Sequence, residues 1–106
     1  MTRKDYPQGT DNVLLDLGFD NAEELSVKAV LAFKLNELVS QRSLTQAEVA
    51  SITGMTQPKV SQVRCYKLQN ISLERLMQAL VSLGQHVEIN VEPASNANAT
   101  GITVAA

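Results

Sequence analysis

The chain has one cysteine, one histidine and no tryptophan among its 106 residues. A single thiol, Cys65, cannot close an internal disulfide, so the composition does not imply an oxidising compartment. Cys65 and His86 alone, with no ligand spacing around them, supply no metal site. Aromatic residues make up only 4% of the chain, so any core has to be aliphatic. No stretch approaches the roughly 18 consecutive apolar residues of a membrane span. Residues 1–10 lack the apolar run of a signal peptide, which makes a cytoplasmic protein the expectation. There is no nucleophile–base set and no glycine-rich phosphate loop, so an enzyme ranks last among the function classes and no cofactor is expected. Asn70-Ile71-Ser72 and Asn98-Ala99-Thr100 match a glycosylation pattern that reads as chance without an export signal.

What is present suffices for one domain. Apolar residues form 44% of the chain, enough for a single compact core, and a chain this short is often marginal alone, so oligomerisation is expected. The net charge of −2 is unevenly spread. Residues 1–24 set Arg3 and Lys4 against six acids. Residues 41–75 set Arg42, Lys59, Arg64, Lys67 and Arg75 against Glu48 and Glu74 only. A basic middle in an acidic protein is compatible with one surface that faces nucleic acid, although taken by itself ordinary surface charge is the better explanation.

Residues 1–21 read as an N-terminal arm with an apolar patch, Val13-Leu14-Leu15, Leu17 and Phe19. Asp20 to Glu23, followed by Glu24, starts a long helix with negative charge in its first turn. Val27, Leu31, Leu35 and Leu38 line one face of it; Val30 and Phe33 broaden the apolar surface, as in a helix covered on two sides. Thr45 and Glu48 form a capping box, with Leu44 and Val49 as its hydrophobic staple. Gly54 ends this second helix and Thr56 caps a third, with Pro58 tolerated in the first turn, where N–H groups have no intrahelical partner. Ser72 caps a fourth helix, stapled by Ile71 and Leu76 and ended at Gly84. His86 to Glu92 alternates polar and apolar residues like a half-buried strand, and Pro93 stops it. Residues 93–106 read as a disordered tail.

The second and third helices, joined across Gly54-Met55-Thr56, carry the functional expectation. Val60 and Val63 can face the core with Val49, Ala50 and Met55 opposite, leaving Gln57, Lys59, Ser61, Gln62 and Arg64 on the other side. In a helix-turn-helix the first residues of the second helix enter the major groove, where Gln reads adenine and Lys or Arg reads guanine or neutralises phosphate. Gln46, at the start of the preceding helix, would meet the DNA backbone. On this reading the candidate double-stranded-DNA contacts are Gln46, Thr56, Gln57, Lys59, Ser61, Gln62 and Arg64. Plainer readings stand beside these. Gln57 and Gln62 could be surface glutamines, Cys65 a partly buried structural thiol, His86 a surface residue, and Glu23 and Glu24 simple helix-start charge.

Leu44-Thr45-Gln46-Ala47-Glu48-Val49-Ala50 and Gly54-Met55-Thr56-Gln57-Pro58-Lys59-Val60-Ser61 resemble the helix-turn-helix of the Xre/Cro family of phage-repressor-like regulators. With Asp16-Leu17-Gly18-Phe19, Ser72-Leu73-Glu74-Arg75-Leu76 and Leu83-Gly84-Gln85-His86-Val87-Glu88-Ile89, the wider pattern resembles HigA-like antitoxins and their orphan relatives, over about residues 12–92. The resemblance implies a lambda-repressor-like, mainly all-α fold of five-helix type and a dimer on a pseudo-palindromic operator. It places base readers at Gln57, Lys59 and Gln62 and backbone contacts at Gln46, Arg64 and Lys67. Two departures stand out: Pro58 occupies a position that is often a polar reader, and Tyr66 stands where relatives commonly have glycine.

A lone strand leaves a row of unmet backbone groups, and pairing with its symmetry mate would satisfy them. Val87, Ile89 and Val91 are therefore expected in a homodimer interface. The domain reading is an arm (1–21), a helix-turn-helix domain (22–84), a dimerisation strand (85–92) and a tail. Two functions compete: a sequence-specific repressor, and an antitoxin-type protein that neutralises a basic toxin through its acidic, apolar N-terminal segment.

Overall fold

A computed structural model describes residues 21–97 and 101–105. The apolar patch at 13–19 and the Asp20 helix start lie outside those residues. Four helices are described: α1 (Asn21–Gln41), α2 (Gln46–Thr53), α3 (Gln57–Arg64) and α4 (Leu73–Ser82). They close a ring of contacts in which α1 packs on α4 and α3, α4 on α2, and α2 on α3. The core inside the ring is aliphatic, with Leu35, Val49, Val63 and Leu76 wholly buried. Burying each such side chain contributes on the order of 1.5–3 kcal/mol.

The helix starts follow from local chemistry. The Glu48 N–H donates to Thr45 Oγ1 at 3.1 Å, and the Thr45 N–H donates back to Glu48 Oε1 at 2.8 Å, the reciprocal pair of a capping box. Thr56 and Ser72 accept from the N–H groups of Lys59 and Arg75. Ile71 and Leu76, the staple of α4, are both buried.

The helix ends are less conventional. The turn after α1 runs Ser43 N–H to Ser40 O and Leu44 N–H to Val39 O, and the turn after α3 runs Tyr66 N–H to Val63 O and Lys67 N–H to Gln62 O. Both are Schellman motifs, which need a left-handed residue, normally glycine. Here Ser43 (φ 54°) and Tyr66 (φ 60°) fill that place. Tyr66 therefore makes, without glycine, a turn that normally uses one, at the cost of a strained backbone. Gly54, at φ 77°, closes α2 conventionally, its N–H donating to Ala50 O at 2.9 Å.

Two expectations need correction. Residues 85–94 form no strand, and the described residues contain no β-ladder. The alternation of His86 to Glu92 marks two faces but supplies no partner, and a ladder needs a second strand. Val87 does turn inward against the core, whereas Ile89 and Val91 are 73% and 90% exposed. α1 is also not simply an apolar face with charge at its start. Glu24, expected as helix-start charge, is buried against Lys28 with a 3.0 Å ion pair. Further along the chain, Val104 packs on the core, and the Ile102 N–H donates to Glu23 Oε2 at 3.4 Å.

Candidate nucleic-acid interface

The α2–α3 pair is held from below and open above. Val49 and Met55 on one side, and Val60 and Val63 on the other, are all buried, which fixes the two short helices against each other. Their N-terminal ends are left in solvent: Gln46 at the start of α2, and Thr56, Gln57 and Pro58 at the start of α3, are exposed. The first N–H groups of a helix have no intrahelical acceptor and carry partial positive charge, so both ends suit an anionic ligand.

The eight candidate contacts do not all share this surface. Gln46, Thr56, Gln57 and Lys67 are exposed, and Ser61 is half-buried. Gln62 is half-buried with its side-chain oxygen enclosed and without a hydrogen-bond partner. An unpaired buried acceptor costs about 1–3 kcal/mol, so that amide gains by meeting a donor. Lys59 donates through Nζ to Asn70 O at 2.9 Å. Arg64 points into the domain, its Nη1 donating to both Asn36 O and Asn36 Oδ1 at 3.2 Å.

Several polar residues that shape the site were missed by the sequence reading. Asn36 is nearly buried and donates through Nδ2 to Val63 O at 3.1 Å. Lys28, 2% exposed, donates to Leu68 O at 3.2 Å. Arg75 donates to Thr53 O at 3.2 Å, placing a cation at the C-terminal end of α2, where the helix dipole favours it. A signal for Lys28 was available: at ~100° per residue it falls between Leu35 and Val39 on the buried arc of α1. Cys65, expected to be partly buried, is exposed. The same period from Val60 and Val63 carries position 65 to the far side of α3.

Among the described residues no helix is long and apolar enough to cross a membrane, and no group of three or more His, Cys, Asp or Glu could hold a metal ion. A family model described as a helix-turn-helix domain matches residues 13–92. A solved structure described as an XRE-family transcriptional regulator superposes with a TM-score of 0.74 at 42% identity, covering 82% of this chain and 99% of that one. The chain belongs to the XRE family of helix-turn-helix proteins. No curated protein matches the sequence. In this XRE-family chain the matched region takes in the four described helices and the segment to residue 92, so the candidate surface lies wholly within it.

Proposed function

We propose that this protein is a sequence-specific DNA-binding transcriptional regulator, a repressor that inserts the N-terminal turn of α3 into the major groove. The observation that carries the reading is the contrast along α3: Val60 and Val63 are sealed in the core while Thr56, Gln57 and Pro58 stand in solvent. Gln57 is the leading base reader, since its amide can both donate to and accept from an adenine edge. Gln62 is the second, reached when its enclosed oxygen swings outward to a base donor. Gln46, Thr56 and Lys67 meet the phosphates on either side. The capped N-termini of α2 and α3 need no rearrangement to do so.

The operator is read as a palindrome by a homodimer. Its support is the segment 86–92, where Ile89 and Val91 expose apolar side chains and the backbone has no ladder partner among the described residues. Antiparallel pairing near Ile89 with a second copy would satisfy both. Light scattering at micromolar concentration is expected to give a dimer, and a monomer would remove this part of the proposal.

Selection of binding sites from random DNA with the full chain tests the main reading. A single consensus with two-fold symmetry is expected, bound more weakly by Gln57→Ala by about 1–3 kcal/mol. Recovery of no consensus would overturn it. The HigA-like pattern and the acidic segment 1–24 favour a second role, binding of a basic toxin. Co-purification with the product of a neighbouring small basic reading frame would support that role, and its failure would count against it.

A further inference from the structure

We propose that Asn36 and Arg64 are positioning residues that set the rotation of α3, and that Arg64 makes no phosphate contact; this rests on the DNA-binding reading above. Glu24, Lys28, Ala32 and Asn36 recur every fourth residue on α1 and are all buried, forming a row along the side of the helix that meets α3. Each polar member is used. Glu24 neutralises Lys28, and Lys28 donates to Leu68 O behind α3. Asn36 donates to Val63 O in the last turn of α3, and Arg64 returns to Asn36 through two acceptors, O and Oδ1.

The row therefore holds α3 at its C-terminal end and at the loop that follows, leaving the reading end untouched. Val60 and Val63 also hold the helix, but apolar contact is non-directional and tolerates small rotations. Hydrogen bonds near 3 Å weaken steeply off-axis and do not. A small rotation of α3 displaces the Gln57 amide from a base edge while costing little phosphate attraction. The Asn36–Arg64 pair thus contributes to discrimination between sequences rather than to general affinity for DNA.

Two readouts separate positioning from phosphate contact: the ratio of affinity for the selected duplex to that for random duplex, and the salt slope of binding. Both are taken on the full chain, below the melting temperature of each variant. Arg64→Gln is expected to shrink the ratio roughly tenfold, the scale of one mismatched base pair. Its salt slope should match wild type, whereas Lys67→Gln should flatten the slope by about 0.9. Arg64→Lys keeps the charge but loses the planar fork, and should shrink the ratio as Arg64→Gln does. Asn36→Ala should reproduce the same loss, and the double variant should be no worse than either single one. A flattened slope with an intact ratio for Arg64→Gln, or wild-type behaviour of Arg64→Lys, would overturn the proposal. If wild-type protein selects no duplex, the DNA-binding reading fails instead.

Discussion

α1 and α4 both flank the α2–α3 pair, yet they hold it by different means. α4 buries Leu76, Ala79 and Leu80, an apolar face, and its polar tie to α2, Arg75 to Thr53 O, is only part-buried. α1 buries Leu31, Leu35 and Val39 beside Glu24, Lys28 and Asn36, so its inward side is part salt bridge and part amide. Apolar burial supplies stability without direction, and buried polar pairs supply direction at little net gain. α4 thus acts as ballast and α1 as the element that orients α3.

The sharpest way to break this contrast is to remove one member of the buried pair. Lys28→Met leaves the Glu24 carboxylate buried without its cation and should cost about 3–5 kcal/mol in denaturant unfolding. Adding Glu24→Leu should restore most of that, because a buried ion pair exchanged for apolar groups is often near neutral. A single variant as stable as wild type would show that the polar row carries no load. On α4 the matching test is Leu76→Ala, expected to lose about 2–5 kcal/mol through lost burial and the cavity left behind, a loss that no neighbouring charge change can relieve.

Smaller effects lie at the helix ends. Thr45→Ala removes the capping box of α2 and should cost about 1 kcal/mol, read as a shift of the unfolding midpoint. Tyr66→Gly should raise stability by about half a kcal/mol, since relief of left-handed strain is partly offset by the freer unfolded chain. A loss there instead would mean that the half-exposed Tyr66 ring contributes packing that outweighs the strain.

These sizes mirror what was legible in the sequence. The caps at Thr45, Thr56 and Ser72 and the stop at Gly54 involve groups within four residues of one another, so their residue types reveal them directly. The aliphatic face of α4 shows in its spacing. The contacts Lys28–Leu68 and Asn36–Val63 join residues 40 and 27 positions apart, and a lysine or asparagine carries no mark of which distant carbonyl it will meet. Arg64 shows the same limit: a cation on a short helix next to candidate readers suggests phosphate, and nothing in its sequence neighbours tells that its side chain turns toward Asn36 on α1. The segment 86–92 shows a different limit, because alternation marks two faces of a chain without saying where a partner strand would come from.

The interface is tested most directly by amide chemical-shift mapping of the full chain against its selected duplex. The largest shifts should fall at Gln46, at Thr56, Gln57 and Lys59, at Gln62 and at Lys67, with little change along the buried side of α4. Shifts concentrated elsewhere, with α3 unperturbed, would contradict the assignment of α3 as the reading helix.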